Sequence, residues 1–519
     1  MYRALGLLLL AALATGCCTC SKPTDTEQRA SSYFDSVRQQ PPLLVAFLRQ
    51  MPKGGDLHNH LSGAIYAESL IDFAAKDGLC VERATGALAR QQCGPCDSKS
   101  PLPAASCAYS DATLYNSMVD AWSMRNWKPG GESGHDHFFA TFGKFSPATD
   151  RHLGDELAEV ASRAAGDHLR YLELMYTPDT PTLKTLVDKV GWDDKVNCLG
   201  KASCDAYLAT VRDKLVNTVN KDLVPLARRQ LDQDEAKAQS VMRCDTPEPA
   251  PGCKVTLRYL YQVSRGKDPK LVFGQMLLGF ELASMDSRFV GLNLVMPEDC
   301  PVCMRDFELH MHMLDYLHGV YPKIHIALHA GELAMGLVPP EGLRFHIRDS
   351  VETGHAERIG HGVDVMSETN PEDLLKEMAE GKVLVEICLT SNDLILGVRG
   401  KDHPFPVYRQ YGVPVALATD DEGVSRSDMT HEYQQAVESY GLSYGDLKRM
   451  ARQSLEHSFL PGESLWKDTN KFARVAACEG DNAGSEQSSR ECREFLDGNQ
   501  RAQMQWALEQ DFAEFEKKF

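Results

Sequence analysis

"KIHIALHAGE", residues 323–332, runs through a short, largely apolar stretch into a histidine, an Ala-Gly step and a glutamate. A run of this length and composition reads as a buried strand, with its polar residues collected at the C-terminal end. Seven other stretches have the same design: "GDLHNHL" (55–61), "LRYLELMYTP" (169–178), "KVTLRYLYQVSR" (254–265), "FVGLNLVMPED" (289–299), "RIGHGVDV" (358–365), "KVLVEICLTSN" (382–392) and "VPVALATDDEG" (413–423). Helix-like segments separate them, such as "HLGDELAEVASRAAGDH" (152–168) and "NPEDLLKEMAEG" (370–381). Apolar strands alternating with helices imply a parallel sheet covered on both sides, and eight repeats imply an α/β fold of the closed (β/α)8, TIM-like kind. In such a barrel the loops after the strands converge at one mouth, which is where the polar strand ends of this chain would meet.

Two long stretches interrupt the alternation. Residues 83–133 are rich in Cys, Gly, Pro and Ser, and residues 179–253 contain the charged helical segment "LVPLARRQLDQDEAKAQSVM" (223–242). Both read as insertions beside the barrel mouth. The expected organisation is a signal segment over 1–20, a polar tether ("SKPTDTEQRA", 21–30) and helix within 21–50, the barrel over 51–470 and a helical extension over 471–519. That extension closes on an amphipathic helix at 500–519 that would pack on the outside.

The 519 residues are 43% hydrophobic, enough for a large core, and carry a formal net charge of −18. That charge disfavours nonspecific binding to nucleic acid or anionic membrane and is compatible with a small neutral substrate. The opening "MYRALGLLLLAALATGCCTC" has a positive start, an apolar stretch too short to span a membrane, and small residues before Cys17. It reads as a secretory signal. "ATGC" resembles a bacterial lipobox, so the expectation is export: a periplasmic or cell-envelope lipoprotein anchored at Cys17, or a secreted protein. The sixteen cysteines fit that compartment. Most fall in close pairs (Cys93/Cys96, Cys198/Cys204, Cys244/Cys253, Cys300/Cys303, Cys478/Cys492), with Cys80 and Cys107 bracketing the first, while Cys388 reads as a buried free thiol. Two CxxC pairs could instead build a zinc ribbon, and "CGPC" matches a redox motif without the strand-to-helix context such a motif needs. Connectivity and oligomeric state are not legible.

His58 and His60 flank one residue, and alternate residues of a strand face the same way, so both imidazoles can reach one metal ion. His329 offers a third imidazole and Asp420, ending "VALATD", a carboxylate. Three His and one Asp at strand C-termini form a donor set suited to zinc with a bound water. Each alone reads as well as a hydrogen-bonded buried polar residue; together they are hard to dismiss. His361 could orient that water, Glu332 could carry a proton, and Asp421 could hold a ring nitrogen. Their plain alternatives are a structural histidine, a loop glutamate and a helix N-cap.

"MPKGGDLHNHL", "LHAGE", "RIGHGVD", "VEICLTSN" and "ATDDEG", in that order, resemble the adenosine deaminase family of metal-dependent amidohydrolase barrels, over about residues 51–433. The resemblance implies one Zn2+ per chain on His58, His60, His329 and Asp420, Glu332 protonating purine N1, and His361 orienting the water with Asp420 accepting its proton. It further implies Asp421 at N7, a purine nucleoside substrate attacked at C6, and loss of ammonia. "DHFFATFGKF" (136–145), with Phe142, is similar to the family's lid over the nucleoside. Two motifs depart. Ser62 stands where the family commonly has Asp on the sugar. "VMPED" has Met296 and Pro297 where Gly and Asp are expected, keeping Glu298 for the purine. The Cys-containing insertions look like the secreted, growth-factor-like branch. Adenosine and 2′-deoxyadenosine are the leading substrates. The alternatives are another aminopurine or modified nucleoside, and a weakly active extracellular nucleoside-binding or signalling protein.

Overall fold

Eight parallel strands stand side by side in chain order in the computed structural model: β1 (Gly54–His60), β2 (Leu169–Tyr176), β3 (Thr256–Ser264), β4 (Phe289–Val295), β5 (His325–Ala330), β6 (Arg358–His361), β7 (Leu384–Ile387) and β8 (Val415–Leu417). The structure describes residues 24–178, 180–193, 201–483 and 488–519. Each strand forms within one of the eight apolar runs, except that β1 begins one residue early, at Gly54. The runs are nearly continuous because a strand covered on both faces has no solvent side; β4, for example, is buried at all seven positions.

The ring closes between β1 and the segment following β8. His60 N–H donates to the Asp420 carbonyl at 3.0 Å, and Asp420 N–H donates to the His58 carbonyl at 2.8 Å. Below that seam, the Thr419 hydroxyl and the Asn59 amide both donate to buried Asp56, and Asn59 also reaches Thr419 Oγ1 at 3.0 Å. Closure of the barrel and placement of His58, His60 and Asp420 are therefore one and the same set of bonds. The fold is the (β/α)8 barrel.

The expected helices form as Leu153–Gly166, Pro371–Gly381, Val224–Met242 and Gln500–Glu516. The long helix of the second insertion packs on the barrel's flank against Leu153–Gly166. The polar tether needs correction where it is described. Thr24 caps a helix Asp25–Val37 by accepting from Glu27 N–H, and Ala30, Phe34 and Val37 recur at helical spacing on its buried face. Both this helix and the next, Pro41–Gln50, pack against the C-terminal helix, the second through Phe47 and Phe515, whose rings stand 5.0 Å apart.

Disulfides join Cys80–Cys93, Cys96–Cys107, Cys244–Cys253, Cys300–Cys303 and Cys478–Cys492, and Cys388 is free and buried. Cys93 and Cys96 thus belong to different bridges, so "CGPC" is no redox pair. With both CxxC pairs bridged, no thiolates remain there for a zinc ribbon. The expected signal segment 1–20, the expected anchor Cys17, residues 21–23 of the expected tether and Cys198 lie outside the described residues. No helix among the described residues is long and apolar enough to cross a membrane.

Candidate active site

Four strand ends bring His58, His60, His329 and Asp420 together. His58 Nε2 and His60 Nε2 each lie 3.1 Å from His329 Nε2. Asp420 Oδ1 lies 3.4 Å from His58 Nε2 and 3.3 Å from His60 Nε2. Donors about 2.0–2.2 Å from a shared ion stand about 3–3.5 Å from one another, so this spacing fits four ligands around one ion.

The proton placement gives the same answer. His58 Nδ1 donates to Glu386 Oε2 at 2.7 Å, His60 Nδ1 to Gln262 Oε1 at 3.1 Å, and His329 Nδ1 to Asn293 Oδ1 at 2.7 Å. With each Nδ1 a donor, the neutral rings turn three bare Nε2 lone pairs toward one point beside a carboxylate oxygen. Lone pairs at 3.1 Å repel unless a cation lies between them. The donor set fits a divalent ion with nitrogen and oxygen ligands, zinc above all.

Gln262, Asn293 and Glu386 escaped the sequence reading, although two of them had a signal. Asn293 and Glu386 are each a lone polar residue inside an otherwise apolar strand run, and such a residue needs a partner when buried; Gln262 shares its run with Thr256, Arg258 and Ser264 and does not stand out.

Glu332 is buried, and its Oε1 has no hydrogen-bond partner among the described residues. Burial, reinforced by the Asp420 and Glu298 carboxylates, pushes its pKa well above the usual carboxylate range, the direction that favours the proton-donating form. Asp421 is raised by burial and by Asp420 next to it. Its Oδ1 is unpartnered among the described residues and occupies the space a side chain at Gly63 would need, since a Cβ there would stand 1.6 Å from it. His361 is buried, and burial pushes its pKa down to about 3, so it is neutral. Its Nε2 has no partner among the described residues, and its Nδ1 lies 3.8 Å from Glu332 Oε1.

The expected substrate contacts fall out unevenly. Glu298 turns to its own chain, accepting Gly331 N–H at 3.1 Å and Glu332 N–H at 2.7 Å. It thereby holds the turn that aims Glu332, a task the sequence reading did not assign to it. Ser62 is partly exposed in the turn after β1, next to Gly63. Phe142 lies on the helix Gly134–Phe145, where its ring neighbours are Phe138 and Phe145. That helix reaches toward the site at its start: His135 bonds Asp299 at 3.0 Å, in the turn after β4. In the same turn Met296 has φ 110°, a region that favours glycine. Asp420 and His361 also have positive φ, at 61° and 69°. Strained residues of this kind gather where the surrounding structure forces a side chain into a working position.

A family model described as "Adenosine deaminase" matches residues 153–468, more than half of the chain. The chain belongs to the adenosine deaminase family. Among curated members, the adenosine deaminase of Salmonella dublin is 39% identical over 137 residues, 26% of this chain and 38% of the relative. That of Escherichia coli (strain SE11) is 38% identical over 140 residues, 27% of this chain and 39% of the relative. The chain thus spans under two-fifths of the length of these relatives. Of solved structures, an amidohydrolase from Burkholderia ambifaria with bound Zn has 18% identity and a TM-score of 0.52, covering 89% of this chain and 94% of its own. An adenine deaminase from Arthrobacter aurescens has 16% identity and a TM-score of 0.50, covering 81% and 96%. These structural likenesses concern the fold.

Proposed function

We propose that this protein is a zinc-dependent hydrolase that deaminates adenosine or 2′-deoxyadenosine at C6, giving inosine or 2′-deoxyinosine and ammonia. The observation that carries this reading is the pairing of a three-His, one-Asp donor set with a buried Glu332, whose Oε1 has no partner among the described residues, on the same strand–turn as His329. The family membership and the zinc in the Burkholderia structure support it.

A zinc ion held by His58, His60, His329 and Asp420 would supply hydroxide at neutral pH by lowering the pKa of water to about 7. The chain's own groups do the rest. Glu332 donates its proton to N1, which makes C6 electrophilic. His361 directs an N–H at the attacking oxygen and steadies charge that develops there. Asp420 accepts the proton released on attack and passes it to the departing amino group, which leaves as ammonia. Asp421, held protonated by its neighbours and burial, donates to N7, which can only accept. The disulfides support a location outside the cytoplasm.

The test is the ultraviolet change on mixing the purified protein with adenosine, 2′-deoxyadenosine, adenine, AMP and N6-methyladenosine, each with and without a chelator. Chelator-sensitive conversion of the first two, faster than the rest, is expected. Conversion of none by the zinc-loaded protein would sink the deaminase reading.

A second reading keeps the chemistry and changes the substrate to another aminopurine. It rests on the turn after β4, where Met296 holds a backbone conformation that suits glycine and is followed by Pro297. If that turn excludes adenosine, a different member of the panel will be converted fastest.

A further inference from the structure

Behind His361 runs a chain of three hydrogen bonds that starts at a backbone amide. Phe405 opens the helix Phe405–Tyr411, so its N–H has no partner within the helix. It donates to His403 Nδ1 at 3.0 Å. A backbone N–H cannot exchange roles, so Nδ1 of His403 must be bare and its proton must sit on Nε2. Burial keeps His403 neutral, with its pKa pushed down to about 4.

His403 Nε2 lies 3.0 Å from Asn392 Oδ1 and therefore donates to it. This orients the Asn392 amide, whose Nδ2 then faces His361 Nδ1 at 3.0 Å. An NH2 group only donates, so His361 Nδ1 must accept and the His361 proton must lie on Nε2. Asn392 and His403 are buried, so water does not compete for either bond. The direction of every bond follows from the single Phe405 amide.

We propose that His403 and Asn392 are positioning residues that lock His361 in its Nε2–H tautomer, so that His361 faces the reacting centre as a hydrogen-bond donor and cannot act there as a base. The consequence for the reaction, which rests on the deaminase reading, is that acceptance of the water's proton falls to Asp420. His361 instead stabilises the oxygen. Neither His403 nor Asn392 touches substrate in this scheme.

The test uses the full-length, zinc-loaded protein labelled with [15N]histidine. Long-range 1H–15N correlation reads which ring nitrogen of His361 is protonated, with assignment by loss of its signals in His361→Gln. The wild type should show protonated Nε2 and bare Nδ1. Asn392→Asp, nearly isosteric, puts an acceptor against Nδ1 and should move the proton there. Its kcat should fall about 10- to 100-fold, the range for lost supporting partners, with KM little changed. His403→Leu should also lower kcat, and His403→Gln, which retains an N–H for Asn392, should recover most of the loss. A wild-type His361 protonated on Nδ1 would overturn the proposal, as would His403→Leu with unaltered tautomer and kcat. If the wild type deaminates no aminopurine, the deaminase reading fails, while the tautomer measurement still decides the relay.

Discussion

Glu386 Oε2 lies 2.7 Å from His58 Nδ1, and neither side chain is exposed to solvent. The carboxylate fixes which nitrogen of His58 faces the ligand shell and makes that nitrogen a stronger donor. Glu386→Gln keeps an acceptor but removes the charge. Zinc affinity should fall about 10- to 100-fold, read by competition against a chelator. An unchanged affinity would mean that the carboxylate does not tune the ligand.

Glu386 is itself answered by Arg358. Arg358 Nε is 2.6 Å from Glu386 Oε1, Nη2 is 2.6 Å from Glu173 Oε2, and the guanidinium lies 3.8 Å over the Phe459 ring. Glu173 also accepts from Tyr171 and from Phe459 N–H. Arg358→Met would leave two buried carboxylates without their cation. The expected loss is about 3–5 kcal/mol in urea unfolding, the cost of breaking a buried ion pair from one side. A loss within the range of an exposed pair would show that these carboxylates are hydrated or protonated in the folded chain.

Glu332→Gln removes the proton donor and leaves the ligand shell intact. Turnover should drop about 10²- to 10⁴-fold, the usual worth of a positioned acid, with zinc content unchanged by elemental analysis. Normal turnover in a zinc-replete Glu332→Gln protein would refute the acid role.

Chelation should lower Tm as well as activity, since an ion that binds only the folded chain stabilises it by mass action. Adding zinc back to the dialysed protein should restore both. Loss of activity with no change in Tm would argue that the ion does not bind the described donor set.

Glu368 gives a pH dependence away from the metal ligands. Its Oε1 accepts the first amides of the helix His346–Glu352, from Ile347 and Arg348, while Oε2 is buried without a partner among the described residues. Burial raises its pKa from 4.5 to about 7. Between those values the folded chain holds a proton that the unfolded chain has released, so stability declines as pH rises through that window. Glu368→Gln keeps the capping oxygen and cannot ionise. Its Tm should decline less than that of the wild type from pH 4.5 to 7, and parallel curves would remove Glu368 as the source.

Much of the site was legible because its parts obey short-range rules. Alternation along β1 puts His58 and His60 on one face, and the polar ends of apolar runs mark the barrel mouth. Thr24 and the helical spacing of Ala30, Phe34 and Val37 were equally local signals, but the polar residues around them read as a tether. Glu298 was misassigned for a different reason. Its partners are the amides of Gly331 and Glu332, 33 and 34 residues away, and nothing near it in the chain shows that they will be its partners.

The sequence by itself determined the eight strands, the barrel they close, and the residue types that meet at its mouth, because strand periodicity and burial act over a few neighbouring residues. Only the tertiary structure decided which nitrogen of each histidine is free, which carboxyl keeps its proton and which cysteines pair. Those depend on contacts such as His58 with Glu386, 328 residues apart, and His361 with Asn392, 31 apart. A proton's place follows from the partner across the fold and from the burial that excludes water, and neither is a property of a local stretch of chain.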